Sequence, residues 1–281
     1  MNITTALATG YISVSQAFNR RGFYSFMRLI NRLFPHQANQ SKTVELNAAS
    51  NFSFPAGDPY WLSVFVCKRD YEPELRRLLA RLERPSLFLD CGANFGYWSV
   101  LNSEHIKTVA VEASTDTYRW LALNNANNKG RFTALHAAIT DGSTATVTFA
   151  LEGAHAGRSV VADAQLGETI PAVSIDKLVE QYADDDGLIF IKLDVEGVEV
   201  DAFRGATKTF ARNSVFLYED HGRDASCAPT AHLLQEGRRV YFLLDDDSLL
   251  RIESVERARE LKTNRSKGYN FIALGDACGE F

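Results

Sequence analysis

Residues 188–193 read Leu-Ile-Phe-Ile-Lys-Leu, a nearly unbroken apolar run. A run of that length suits a strand buried on both faces, as happens when helices cover both sides of a parallel sheet. Strand-like segments at Leu87–Asp90, Thr108–Glu112, Phe132–Ile139 and Ser214–Tyr218 alternate with helix-like ones at Tyr97–His105, Thr117–Asn127, Asp176–Tyr182 and Val198–Phe210. A further strand is expected at Ala145–Leu151 and a helix ending over Leu233–Glu236. The last strands, Arg239–Leu243 and Tyr269–Leu274, read as antiparallel. The alternation predicts an α/β, Rossmann-like fold: a mostly parallel, doubly wound sheet with helices on both faces.

Upstream the pattern changes. Residues 73–83 open on Pro73 and carry leucines at helical spacing, which predicts a helix with proline in its first turn. Residues 36–58 read as a connector or small hairpin, with strand-like pieces at Thr43–Leu46 and Phe52–Phe54. Residues 15–34 have helical periodicity: Phe18, Gly22, Phe26, Leu29, Ile30 and Leu33 share one face, the arginines Arg20, Arg21, Arg28 and Arg32 lie mostly off it, and Pro35 ends the run. That helix either packs on the main domain or docks to an anionic membrane surface or a partner subunit. The expected division is an N-terminal helical extension over 1–60 and a main domain over 61–281. Asp245–Asp247 reads as a hairpin tip and Asp184–Asp186 as a solvated turn.

With 30 basic and 35 acidic residues the 281-residue chain has a formal charge of −5. That speaks against wholesale nucleic-acid binding, which needs a basic footprint. Cys67, Cys91, Cys227 and Cys278 are scattered, with no zinc-ligand spacing, and suit reduced thiols in the cytoplasm. No apolar stretch reaches transmembrane length, and no signal peptide is expected.

The chemistry-bearing loop is Asp90-Cys-Gly92-Ala-Asn94-Phe-Gly96, which follows a strand and precedes a helix. In open α/β sheets ligands bind beyond the carboxyl ends of the strands. Gly92 admits close approach of a ligand, Gly96 lets the helix start near the strand, and Asp90 puts a carboxylate beside them. Glu112 ends the next strand about 20 residues on, a place from which an acid can hold a ribose diol. A dinucleotide loop would have glycine where Asn94 stands, and Asp90 would repel a pyrophosphate but attract an ammonium or sulfonium. The reading shifts from NAD towards S-adenosylmethionine. A second acidic pair, Asp194 and Glu196, ends the 188–193 strand; Glu196 can equally serve as a helix-capping acid, and Lys192 can pair with a neighbouring carboxylate.

The stretch Asp90-Cys-Gly-Ala-Asn-Phe-Gly-Tyr-Trp-Ser99, followed by Ile191-Lys-Leu-Asp194-Val-Glu-Gly-Val-Glu199, resembles the FkbM family of S-adenosylmethionine-dependent methyltransferases. Tyr71-Glu72-Pro73-Glu74, Gly157-Arg-Ser159 and Val173-Ser-Ile-Asp-Lys-Leu178 are similar to that family's pattern as well; Asp201, where the family usually has an apolar residue, departs from it. The resemblance spans roughly residues 70–275. It implies a seven-stranded class I methyltransferase sheet and O-methylation of a hydroxyl. It implies that the Asp90–Gly96 loop holds the methionine end of the cofactor, that Glu112 holds the ribose, and that His136-Ala137-Ala138 borders the adenine. Glu72, Asn94, Ala113, Asp194 and Glu196 join the expected cofactor contacts.

Methyl transfer to oxygen needs a base for the hydroxyl proton. His221, at the end of Tyr218-Glu-Asp-His221, is one candidate and Asp194 the other. Asp194, Glu219 and Asp220 are compatible with Mg²⁺, but no spacing demands a metal. Amino-directed base methylation and cytosine C5 chemistry are disfavoured, because the chain has neither Pro-Pro nor Pro-Cys. A sugar, glycan, glycolipid or secondary-metabolite hydroxyl is the acceptor class left, with His155 and Arg158 on a loop that could cover it. The alternatives are a nicotinamide-dependent oxidoreductase and a non-catalytic cofactor-binding scaffold, either of which, like the enzyme, allows a homo-oligomer.

Overall fold

The computed structural model describes residues 3–15, 22–66, 71–150, 167–184 and 186–279. The chain divides into two compact units, Met1–Pro73 and Glu74–Phe281.

The first unit contains α1 (Ile3–Ser15), α2 (Phe23–Leu33), α3 (Pro35–Ala38), the antiparallel hairpin β1 (Ser41–Asn47) and β2 (Ser50–Pro55), and α4 (Pro59–Val66). The hairpin forms where the strand-like pieces predicted it. The boundary expected at residue 60 instead falls inside α4. Helix α2 starts after Gly22, whose φ of 84° stops a helix from running through it. Its buried stripe is Phe23, Met27 and Ile30, one helical row. Leu29 and Leu33, expected on the packed face, are 55% and 61% exposed. Pro35 does not simply end the run but occupies the first turn of α3. Phe52, Phe54, Trp61 and Phe65 build the unit's aromatic cluster, with Phe52 and Trp61 ring centres 4.6 Å apart.

The second unit opens with α5 (Pro73–Arg81) and continues as β3 (Leu87–Cys91), α6 (Tyr97–Asn102), β4 (Lys107–Glu112), α7 (Thr115–Asn127), β5 (Thr133–His136), β6 (Ala138–Ile139), β7 (Thr146–Ala150) and β8 (Gly167–Val173). Then come α8 (Ile175–Tyr182), β9 (Ile189–Leu193), α9 (Glu199–Arg204), α10 (Thr207–Phe210), β10 (Ser214–His221), α11 (Ala228–Gln235), β11 (Arg239–Leu243), β12 (Leu249–Ile252), α12 (Val255–Leu261) and β13 (Gly268–Leu274).

Eight strands form the main sheet in the order β12-β11-β13-β10-β9-β3-β4-β5. The five from β10 to β5 are parallel, and β13 inserts antiparallel between β10 and β11. This is the doubly wound sheet expected, with one strand more than seven: β12 adds to the edge by a hairpin turning at Asp245–Asp247. Strands β3 and β9 are buried along their whole length, as their apolar runs require.

Two predicted elements split. Phe132–Ile139 breaks at Ala137, so that β5 stays in the main sheet while β6 joins β8 and β7 in a separate three-stranded sheet. Val198–Phe210 breaks at Gly205, where a side chain would overlap the Thr140 carbonyl. Asp176 then caps α10, accepting from the Lys208 and Thr209 amides at 3.0 and 2.8 Å. Asp201 pairs with Arg204 at 2.9 Å on the outer side of α9, which accounts for a polar residue there.

Candidate active site

Chain order reverses between β3 and β9: β4 lies on one side of β3 and β9 on the other. The crevice expected at such a switch point opens beyond Cys91 and Leu193. Here the two loops lock together. The Asp194 amide donates to the Cys91 carbonyl at 2.9 Å. Gly92 has φ +79°, and a Cβ on it would overlap the Asp194 carbonyl oxygen. Gly92 is therefore required twice, by its dihedral and by the second loop. Gly96, at φ +85°, packs against Leu121 and starts α6.

Between the glycines the backbone turns through Asn94, also left-handed at φ 53°. The Asn94 amide donates to Glu112 at 2.9 Å, and the Ser114 amide donates to the other Glu112 oxygen at 2.9 Å. So the acid at the end of β4 buttresses the glycine loop. The Ala113 amide pulls on the same carboxylate. Burial pushes Glu112 up to about 7, against the pull of these amides.

Asp90 lies deeper than its position at a strand end suggests. It is 2% exposed and accepts from the Ser99 hydroxyl at 2.5 Å. Burial raises its pKa, while Lys192, its register partner on β9, opposes that. Lys192 pairs with Asp194 at 3.1 Å, as one reading of the sequence had it. One lysine thus faces both acids.

Glu196 follows at φ 54°. Burial, then the charges of Asp194 and Glu199, push it up to about 7. Glu199, buried at the start of α9, accepts from the Gly197 amide at 3.0 Å. The second glutamate of the Val195-Glu-Gly-Val-Glu199 block was the signal for it. On the other flank, the Ala113 carbonyl receives His136 Nε2 at 3.0 Å, and His136 stacks on Tyr118. Ala137 is buried beside them, its amide donating to the Glu112 carbonyl at 3.2 Å. Glu72, left-handed at φ 44°, lies in the first unit.

His221 ends β10. The Arg223 amide donates to its Nδ1 at 3.1 Å, so the neutral ring carries its proton on Nε2. Burial and the cations Arg223 and Lys262 lower its pKa. The outward nitrogen of His221 is then a donor. The turn after it hangs on Lys262, which sequence reasoning missed because nothing in Leu261-Lys-Thr marks it. Lys262 Nζ donates to Asp220, to the His221 carbonyl at 3.1 Å and to the Asp224 carbonyl at 2.6 Å.

A metal set of Asp194, Glu219 and Asp220 does not assemble. Glu219 and Asp220 are neighbours on β10 and point to opposite faces. Asp220 is fully buried and taken by Lys262 and Thr230. Among the described residues no group of three or more His, Cys, Asp or Glu side chains could hold a metal ion. The loop carrying Gly157, His155 and Arg158 lies outside the described residues.

The sequence model described as "Methyltransferase FkbM domain" matches residues 90–242. The chain belongs to the FkbM methyltransferase domain family. The matched span begins at Asp90 and takes in every site residue described above except Glu72 and Lys262. Among solved structures the FkbM chain is similar to a precorrin-6y C5,15-methyltransferase from Geobacter metallireducens, at 12% identity over 73% of this chain and 86% of that one, TM-score 0.42. It is also similar to a TehB-like S-adenosylmethionine-dependent methyltransferase from Corynebacterium glutamicum, at 10% identity over 77% and 95%, TM-score 0.44. A precorrin 8w decarboxylase from Methanobacterium thermoautotrophicum matches at 10% over 73% and 91%, TM-score 0.41. A search of curated proteins gives no match. No helix of the described residues is long and apolar enough to cross a membrane.

Proposed function

We propose that this FkbM methyltransferase transfers the methyl group of S-adenosylmethionine to a hydroxyl of a sugar, glycan, glycolipid or related secondary metabolite. The observation that carries the reading is the acidic, glycine-lined crevice where the Asp90–Gly96 loop meets Asp194–Gly197. Five acidic side chains (Asp90, Glu112, Asp194, Glu196 and Glu199) come from these strand ends and loops, and Lys192 lies near Asp90, Asp194 and Glu196, an environment suited to a cationic ligand. The donor chemistry fits S-adenosylmethionine: Glu112 ends β4 beside the glycine loop, where an acid can accept from a ribose hydroxyl. Bound there, the cofactor supplies an electrophilic methyl group on a sulfonium.

The protein's share is positioning and proton removal. Asp90, Glu112 and Asn94 shape the cofactor side, with Ala113, Ala137 and Glu72 as further contacts. Asp194 is held by Lys192 and orients what lies over β9. Of the two carboxyls pushed up to about 7, Glu112 is held by the loop amides, and Glu196 suits the base better. His221, with Nδ1 occupied, suits a hydrogen-bond donor to the acceptor. Arg223, two residues on, adds a cation near both. We place the enzyme in the cytoplasm, in keeping with Cys91, Cys227 and Cys278 as free thiols.

The test is transfer of a ¹³C-labelled methyl group from S-adenosylmethionine to a panel of glycans and hydroxylated metabolites, read by NMR. A methyl ether is expected. Transfer only to amines or carbon would overturn the acceptor class. Absence of calorimetric binding of S-adenosylhomocysteine would overturn the site.

A further inference from the structure

Residues 1–44 contain five basic and no acidic side chains, leaving 25 basic and 35 acidic residues in the rest of the chain. A net +5 therefore sits at one end of a protein whose remainder carries −10. The first unit as a whole, residues 1–73, has seven basic and four acidic side chains, and it also holds most of the exposed apolar surface. Of seven large hydrophobic side chains exposed among the described residues, six (Ile3, Leu7, Tyr24, Leu29, Leu33 and Tyr60) lie in the first unit. Scattered exposed apolar residues need no account, but a concentration of them marks a docking surface.

Helix α2 shows how the two properties combine. Phe23, Met27 and Ile30 bury one face. On the opposite side Tyr24, Arg28 and Arg32 follow at four-residue spacing, and Leu29 and Leu33 form the adjoining row. Tyr24, Leu29 and Leu33 are 54%, 55% and 61% exposed. An aromatic and two leucines bracket two exposed arginines, whose long apolar stems can lie on an apolar surface while the guanidinium groups stay in polar surroundings. An acidic protein partner would meet the charges and leave the leucines without a match. A bilayer interface matches both: anionic headgroups for the guanidinium groups, acyl chains for the side chains beside them.

We propose that the exposed face of α2 docks the protein on the surface of an anionic lipid bilayer. The proposal stands apart from the methyl-transfer reading and does not rest on it. The experiment is flotation of the full chain with phosphatidylcholine vesicles, with and without phosphatidylglycerol. Binding is expected only when phosphatidylglycerol is present, and raised salt weakens it. Replacing Arg28→Glu with Arg32→Glu is expected to lower partitioning at least about tenfold, since each basic residue near such a surface contributes about a factor of five. Leu29→Ser with Leu33→Ser lowers it as well, and circular dichroism checks that both variants fold. The wild-type comparison decides even if a variant fails. Equal binding to both vesicle types, or to neither, overturns the proposal. So does binding unchanged in folded variants, or concentration-dependent dimerisation that the same substitutions abolish.

Discussion

Glu196 and Gly92 carry the most chemical consequence per residue. The Glu196 carboxyl is pushed up to about 7 by burial and by its acidic neighbours, against an ordinary value of 4.5. A folded-state value above the unfolded one favours the fold while the group is protonated. Its contribution is full below pH 4.5 and is lost as pH rises through 7. Glu196→Gln is therefore expected to raise Tm relative to the wild type at pH 8, with the gain fading by pH 4.5, as calorimetry at both values will show. The same variant should lose about 10²–10⁴ in kcat/KM and the rising limb of the pH–rate profile near 7. Gly92→Ala should do the opposite to stability. A left-handed residue costs about 1–2 kcal/mol without glycine, and the overlap with the Asp194 carbonyl adds to it. Denaturant titration should show a loss above about 2 kcal/mol, with S-adenosylhomocysteine binding lost in parallel.

Among the elements, α10 depends on a side chain from another helix. Asp176 on α8 takes the amides of Lys208 and Thr209 and the Thr209 hydroxyl at 2.7 Å. Asp176→Ala should cost about 1–2 kcal/mol in urea melts, as a lost helix cap does, with cofactor affinity unchanged. The sequence was legible at this scale wherever apolar periodicity and strand ends coincide. The runs of β3, β4, β9 and β10 announced the parallel sheet, and the Asp90–Gly96 and Asp194–Glu199 blocks the sheet edge where its two loops meet. What escaped had a physical reason each time. Gly205 and its remote cap break a helix that looks continuous. Leu29 and Leu33 share a helical period with buried residues yet face solvent. Strand β8 and helix α12 have too little apolar contrast to stand out. Lys262 is distant in sequence from the turn it holds, so no local pattern pointed to it. The depth of Asp90 and its Ser99 bond depend on packing that its place at a strand end does not reveal.

For the whole molecule, the two units give separable expectations. Hydrogen exchange of the full chain with S-adenosylhomocysteine should slow at residues 92–96, 112–115 and 194–197 in the second unit. Protection at Tyr71–Glu72 would make Glu72 a cofactor contact as well; unchanged exchange there would remove it from the set. Helix α2 should not respond to the ligand.

The register of β10 has a consequence for how acceptor preference can change. It pairs with β9 only as far as Tyr218↔Leu193 but with β13 out to His221↔Gly268. Three residues, roughly 10 Å of chain, extend past the paired end of β9, fastened from the antiparallel side and by Lys262. In the proposed reaction the donor side, on β3 and β9, and the acceptor side, on the end of β10, are thus anchored to different neighbours. Transplanting the 219–227 segment together with its β13 partner from a relative should change which hydroxyl is modified and leave donor affinity intact. That modularity would let one methylating scaffold diversify across many substrates without rebuilding its donor pocket.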